Sequence, residues 1–253
     1  MNNIKAIVCD LDGTLLNSKK RISKENIEIL NQKQQQGIKI YIATGRGAEA
    51  FNLIKGVNID GIVLSNGMRV YYNNCQIYKK TLERDKLEVF CSEVKKVGIK
   101  LGIYKQIEEN IPEKINNDVL EGGVFLYDRI PAQFDKLFVE LENCKDKEYI
   151  EKKLPDEYYI IYTRDQYAFI MPKEVSKCIG VRKMLQQDRL DMSQVLMFGD
   201  DETDMELIKE SGIGIAMGNA LEEIKDFADF VTKTNDENGI EYMIKNLEVG
   251  KRE

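Results

Sequence analysis

Ile4 to Cys9 is a short, mostly apolar and β-branched run that ends in Asp10, the pattern of a strand buried on both faces of a parallel sheet. Ser23 is placed to cap a helix in which Ile27 can staple back onto Ile22, and Gly37 to close it before a second apolar run, Ile38 to Ala43. This predicts a βαβ unit with Thr44 at the end of its second strand. The alternation returns towards the C-terminus, with strands expected at Val195 to Phe198, Ile213 to Ala216 and Phe230 to Val231, and helices at Glu202 to Glu210 and Leu221 to Phe227. Both ends of the chain therefore read as one α/β layer, a doubly wound, mostly parallel, Rossmann-like sheet.

Between them the texture changes. Arg69 to Lys80 has the pattern of a hairpin turning at Asn73-Asn74, and Arg84 to Val97 that of an amphipathic helix stopped by Gly98. Strand-like runs follow at Ile99 to Tyr104, Tyr158 to Tyr162 and Tyr167 to Met171, with a helix expected from Ala132 to about Asn143. Gln106 to Asp128 carries no readable pattern, and Glu174 to Gln187 reads as a helix that re-enters the core. The expected organisation is a discontinuous core of residues 1–81 and 173–253 with an inserted α+β cap at 82–172. Tyr104, Phe125, Tyr127 and Tyr162 of the insert either line a ligand face or fill its interior; burial statistics for aromatic residues favour the interior.

Composition narrows the chemistry. Lys and Arg total 37 against 43 for Asp and Glu, a net charge of -6, which repels nucleic acid and anionic lipid. Small ligands are the expected partners, taken by a monomer or small homo-oligomer. The five cysteines lack C-x-x-C spacing, the chain runs from Met1 into a strand-like segment without a signal peptide, and no apolar run approaches the roughly 18 residues of a membrane span. A soluble cytoplasmic protein is expected. Histidine is absent, which excludes Ser-His-Asp triads, Cys-His pairs and histidine-ligated zinc. Catalysis, if present, falls to carboxylates, hydroxyls or lysine.

Asp10-Leu11-Asp12-Gly13-Thr14-Leu15-Leu16 sets two carboxylates two residues apart just past a buried strand. On turn chemistry, Asp12-Gly13 makes a turn that Asp10 caps; on catalytic chemistry, one carboxylate attacks while the other moves protons. This segment alone leaves both readings open. Gly199-Asp200-Asp201-Glu202-Thr203-Asp204 stands in the same setting, where the ordinary role of an acid is to cap the following helix. One cap needs one acid, and four stand here. So many carboxylates at two strand ends call for a cation, and hard oxygen donors suit Mg2+. Thr44, in Ala43-Thr44-Gly45-Arg46, follows a third strand end, where its hydroxyl and the neighbouring backbone N–H groups can hold a phosphate oxygen. Lys177 is one lysine on a helix that carries others, and only its partners would make it catalytic.

Taken together, DLDGTLL from Asp10, ATGR from Ala43, SNGM from Ser65, VSKCIGV from Val175, GDDETDMEL from Gly199, GIGIAMGNA from Gly212 and ADFVTKTNDENGI from Ala228 resemble the haloacid dehalogenase superfamily, in particular its Cof-type phosphatases (subfamily IIB). The match spans both flanks in order, while the insert matches by position and texture only. The resemblance implies Asp10 as the nucleophile on phosphorus and Asp12 as the general acid and base. It implies Mg2+ held by Asp10, the Asp12 carbonyl and Asp200, with Asp204 supporting the metal from behind. Leu11, Thr44, Gly45 and Lys177 would meet the phosphoryl oxygens, and Asn219 would complete that pocket. Where relatives often carry an Asn expected to contact phosphate, this chain has Thr203, whose shorter hydroxyl would still donate one hydrogen bond to it. Arg46 either reaches the substrate or braces its loop, and Asn66-Gly67 is either a pocket wall or a turn.

The activity implied is Mg2+-dependent hydrolysis of small phosphorylated metabolites, with sugar phosphates expected, through an aspartyl phosphate. Asp12 must then be protonated in the first step, so its surroundings should raise its pKa, whereas Asp10 must remain ionised at the metal. Two alternatives remain, a phosphomutase using the same intermediate and a noncatalytic phosphometabolite-binding module. Dehalogenation is disfavoured by the presence of Asp12, and a P-type ion pump by the lack of membrane spans.

Overall fold

The computed structural model describes residues 3–104, 132–163 and 166–249. In chain order the first elements are β1 (Ala6–Cys9), α1 (Lys24–Gln35), β2 (Lys39–Ala43), α2 (Ala50–Leu53), β3 (Gly61–Leu64), β4 (Arg69–Tyr72) and β5 (Cys75–Lys79). They continue with β6 (Leu82–Glu83), α3 (Arg84–Lys96), β7 (Leu101–Tyr104), β8 (Gln133–Phe134), β9 (Lys136–Glu140), α4 (Cys144–Lys153), β10 (Tyr158–Tyr162) and β11 (Tyr167–Pro172). The last group is α5 (Lys177–Asp188), β12 (Val195–Gly199), α6 (Met205–Glu210), β13 (Ile213–Ala216), α7 (Glu222–Phe227), β14 (Phe230–Val231) and α8 (Gly239–Val249). Two compact units result: Met1–Lys79 with Ser176–Glu253, and Lys80–Val175. Among the described residues, no helix is long and apolar enough to cross a membrane.

The larger unit is built on one sheet of order β14-β13-β12-β1-β2-β3-β4-β5. Strands from β14 to β3 run parallel, and the β4–β5 hairpin closes the edge antiparallel. The hairpin turns as expected at Asn73 and Asn74, both left-handed (φ 47° and 62°), the geometry of a tight two-residue turn. It joins the core sheet through β3, a short strand whose four residues give too little periodicity to be recognised in the sequence. β1 is buried throughout, as its unbroken apolar run requires. Ser23 caps α1 by accepting from Asn26 N–H (3.2 Å), and Gly37 ends the turn after it with φ +86°.

From β1 the chain winds outward through β2 and β3, whereas from β12 it winds the other way through β13 and β14. The winding thus reverses between β1 and β12. In an open parallel sheet the loops leaving two such strands diverge and open a crevice at their carboxyl ends. Asp10 follows β1 and Asp200 follows β12, so topology places the two acidic segments side by side.

The smaller unit has a four-stranded antiparallel sheet, β10-β11-β9-β7, and a two-stranded ribbon of β6 and β8. The helix expected from Ala132 to Asn143 is not there: these residues form β8 and β9. In β9 Leu137 and Val139 are buried while Lys136, Phe138 and Glu140 are half-buried, a period of two that only a strand satisfies. Asn143 caps the next helix instead, accepting from the N–H groups of Lys145 (2.9 Å) and Asp146 (3.3 Å). Other boundaries shift. The strand expected from Ile99 begins at Leu101, the segment from Glu202 to Asp204 is a 3-10 turn preceding α6, and the helix expected from Glu174 begins at Lys177 behind its cap Ser176. Phe125, Tyr127 and the stretch Gln106 to Asp128 lie outside the described residues, as does the Tyr104 side chain.

At the end of the sheet opposite Asp10, Asp188 gathers a polar cluster. It accepts from Tyr41 Oη and from Tyr72 Oη (2.8 Å) and pairs with Lys39 Nζ (3.1 Å), which also meets Asp60 (3.2 Å). Replacing Asp188 with alanine should cost about 2–4 kcal/mol, because it strands the buried Tyr41 hydroxyl and half of the pairing of Lys39. Denaturant unfolding checks this, and any activity per folded molecule should be unchanged.

Candidate active site

The backbone fixes the site before the side chains do. Asp10 N–H donates to Phe198 carbonyl (3.0 Å) at the sheet edge, and the chain then folds back, with Leu15 N–H on Asp10 carbonyl (3.2 Å) and Leu16 N–H on Leu11 carbonyl (2.8 Å). Gly13 occupies φ +82°, and a Cβ on it would lie 2.3 Å from an Asp200 carboxylate oxygen. Only glycine lets that carboxylate rest against the turn. Thr14, fully buried, donates its hydroxyl to Asp200 Oδ1 at 2.8 Å.

Lys177 is the first residue of α5, an unfavourable place for a cation by helix dipole alone. Its partners explain it: Nζ donates to Asp10 Oδ1 (2.7 Å) and to Asp204 Oδ1 (2.8 Å). The other Asp204 oxygen accepts from Asp200 N–H (3.0 Å), so Asp204 braces both the lysine and the loop after β12. Asp10, Lys177 and Asp200 are each 3% exposed and Asp204 is fully buried. Oxygens of Asp10, Asp200 and Asp204 all lie within 4.8 Å of one another.

Fully ionised, these three carboxylates and one ammonium would sum to -2 in a place that water barely reaches. Burial, reinforced by the neighbouring Asp204, Asp201 and Asp200, pushes the Asp10 carboxyl well up against the opposing pull of Lys177. Asp200 is raised to about 7, by burial first and then by Asp204. Burial disfavours the Lys177 ammonium, but Asp10 and Asp204 outweigh it and hold the group charged. Excess buried negative charge presented by hard oxygens is the donor chemistry that a divalent cation such as Mg2+ satisfies.

Asp12 stands apart from this cluster. Its carboxylate accepts from Arg46 Nε (2.5 Å) and Nη2 (2.7 Å) and from Lys20 Nζ (2.6 Å). Burial alone would raise its pKa, but the hydrogen bonds and charges of Arg46 and Lys20 outweigh it and hold the carboxyl below its usual range. The expectation of a raised Asp12 pKa is thus reversed in this state, because the carboxylate meets a bidentate guanidinium fork. Lys20, eight residues further along the chain, gave no signal in the sequence, and Thr14 lay inside a noted motif without a role assigned to it.

The remaining candidates divide. The Leu11 side chain belongs to the core, so only its backbone can face a ligand. Thr44 is buried, with N–H on Val63 carbonyl (2.9 Å) and Oγ1 accepting from Arg46 N–H (3.1 Å). Gly45 lies against the Asn66 side chain, 3.1 Å from its Oδ1 to a Cβ placed there. Gly67 (φ +104°) packs onto Ser176, with its absent Cβ 2.4 Å from the Ser176 carbonyl, so this turn seats the start of α5 and with it Lys177. Thr203 spends its hydroxyl on Asp201 Oδ1 (2.6 Å), completing the cap of its own turn. The Asn219 amide donates to Gly13 carbonyl (2.7 Å) and accepts from Asn235 N–H (2.9 Å). Of the insert's aromatics, Tyr162 donates its hydroxyl to Glu151 (2.6 Å).

The profile of the haloacid dehalogenase-like hydrolases matches residues 7–244. The chain belongs to that family. It is 29% identical to YkrA of Bacillus subtilis (strain 168) over 96% of this chain and 97% of that one. It is 28% identical to the phosphoglycolate phosphatase of Methanobrevibacter smithii over 97% and 99% of the two chains. Among solved structures, a haloacid dehalogenase-like hydrolase from Bacteroides thetaiotaomicron superposes with a TM-score of 0.78 at 26% identity, covering 96% of this chain and 99% of that one. Of the motifs that resemble this family, those after β1 and β12 stand side by side where the winding reverses.

Proposed function

We propose that this haloacid dehalogenase-like hydrolase is a Mg2+-dependent phosphatase that passes the phosphoryl group of a small metabolite through Asp10. The observation that carries the reading is the buried group of Asp10, Asp200, Asp204 and Lys177 at the point where the sheet winding reverses. Phosphoryl transfer asks a protein mainly for in-line positioning and balance of negative charge. Asp10 offers a carboxylate oxygen opposite the one held by Lys177, and that oxygen attacks phosphorus. Lys177 stays on Asp10 Oδ1 and shares the charge that develops on the phosphoryl oxygens, while the Thr44 hydroxyl and the backbone N–H of Leu11 hold the group in line.

Asp12 protonates the departing oxygen, then takes a proton from the water that attacks the aspartyl phosphate and frees Asp10. Its pairing with Arg46 and Lys20 describes the resting state and must loosen when substrate enters. Mg2+, held by the Asp10 and Asp200 carboxylates and the Asp12 carbonyl with Asp204 behind them, would neutralise charge on the transferring group. Residues 82–172 we take as the cap that selects among substrates. The phosphatase names of relatives support small phosphomonoesters, and sugar phosphates are the class we expect.

The test is phosphate release from p-nitrophenyl phosphate and a panel of sugar phosphates, with Mg2+ and with EDTA. Release confined to Mg2+ supports the proposal; a phosphate moved to a second hydroxyl without release points to a mutase.

The metal site predicts a pH effect. In the metal-free protein Asp200 titrates at about 7 against 3.8 for an ordinary aspartate. A group raised on folding stabilises the fold below its unfolded value and loses that contribution as pH rises through its folded value. Mg2+ binds the deprotonated carboxylate, so the gain in Tm on adding Mg2+ should be small near pH 6 and clearly larger near pH 8. Thermal unfolding with and without Mg2+ at both pH values measures it. An equal gain at both would remove Asp200 from the site.

A further inference from the structure

The turn that follows the nucleophile is fastened by two asparagine side chains from the far end of the chain. Within the turn, backbone N–H groups of Leu15 and Leu16 reach back to the carbonyls of Asp10 and Leu11. The carbonyls of Gly13 and Leu16 are taken up from outside, Gly13 by Asn219 Nδ2 (2.7 Å) and Leu16 by Asn235 Nδ2 (2.8 Å). The two asparagines are joined, since Asn235 N–H donates to Asn219 Oδ1 (2.9 Å). One residue on, Asp236 Oδ1 accepts from both the N–H (2.9 Å) and the hydroxyl (3.0 Å) of Ser18. Asn219 lies in the loop after β13, and Asn235 opens a 3-10 turn after β14 that is closed by a Thr234–Glu237 capping box.

We propose that Asn219 and Asn235 are positioning residues that hold the peptide from Gly13 to Leu16 in register with the catalytic carboxylates, and that Asn219 does not bind phosphate. Its Oδ1 accepts from Asn235 N–H and its Nδ2 donates one of its two hydrogens to the Gly13 carbonyl, so backbone on both sides fixes the carboxamide. The peptide they hold is the one against which Asp200 rests, and the next residue, Thr14, donates to Asp200. A shift of the Gly13 carbonyl therefore moves Thr14 and the Asp12 backbone relative to Asp200 and Asp10. The kinetic part of this proposal rests on the phosphatase reading; the structural part does not.

The experiment compares wild type with Asn219→Ala, Asn235→Ala and the double variant, and keeps Asn219→Ser in reserve should the alanine variant fold poorly. Hydrogen exchange at residues 13–18 is measured first, in the full chain and without substrate. Each single variant should exchange faster there, and the double variant should add little to the worse single one, as expected for coupled sites. In steady-state kinetics kcat should fall about 10- to 100-fold, the order of loss that slight misplacement of reacting groups brings. KM and inhibition by inorganic phosphate should change by less than about twofold, since binding common to ground and transition states is untouched. Unchanged exchange at 13–18 overturns the bridge. A loss of phosphate inhibition in Asn219→Ala that Asn235→Ala does not share overturns the positioning role and makes Asn219 a phosphate contact. If wild type releases no phosphate, the phosphatase reading fails while the exchange result still decides the bridge.

Discussion

Replacing Asp10 with asparagine should abolish turnover and yet make the metal-free protein more stable. The loss in kcat should be at least about 10^4-fold, as for other enzymes deprived of their nucleophile. The stability gain follows from charge. Asp10 is 3% exposed and its ionisation is opposed by burial and by Asp204, Asp201 and Asp200. Asparagine keeps the shape, removes the carboxyl whose ionisation the cluster opposes, and leaves Lys177 its bond to Asp204. Strain retained for catalysis is a known source of such trade-offs. Kinetics on p-nitrophenyl phosphate and a metal-free thermal melt measure both effects. A variant that is inactive but destabilised would mean that the cluster is better balanced than its geometry indicates.

Lys177→Met should be damaging in both respects. It removes the ammonium that lies between Asp10 and Asp204 and leaves three carboxylates together at 3% exposure or less. Removing one partner of a buried ion pair costs about 3–5 kcal/mol. Mg2+ should recover part of that stability by mass action but little of the activity, since the charge beside Asp10 Oδ1 is gone. Lys177→Arg should not rescue turnover, because a planar fork cannot replace a compact ammonium bonded to two acids. Denaturant unfolding with and without Mg2+, paired with kcat, gives the result. Near wild-type activity in Lys177→Met would remove the lysine from the mechanism.

Much of this was legible in the sequence, for physical reasons that also explain the gaps. β1 and β12 are unbroken apolar runs that end in acids, so their burial and the place of Asp10 and Asp200 follow from pattern alone. The Lys136 to Glu140 segment is ambiguous in the sequence because Leu137-Phe138-Val139 within a charged stretch is too short to separate strand from helix until neighbouring strands supply the pairing. Asp12 was expected to be poised as an acid, but its state depends on Lys20 and Arg46, whose approach is a matter of loop geometry. The link from Asn219 to Gly13 spans 206 positions, and no local pattern encodes a contact that depends on where two loops leave the same sheet.

The central claim is that phosphate passes through Asp10. Its most direct test is to quench the Mg2+-loaded enzyme with acid during turnover, reduce it with borohydride and map the product by mass spectrometry. An acyl phosphate on Asp10 is reduced to homoserine, and the account predicts that residue at position 10, only with substrate present and not in Asp10→Asn. Steady phosphate release with an unmodified Asp10 under the same quench, or homoserine at another aspartate, would contradict it.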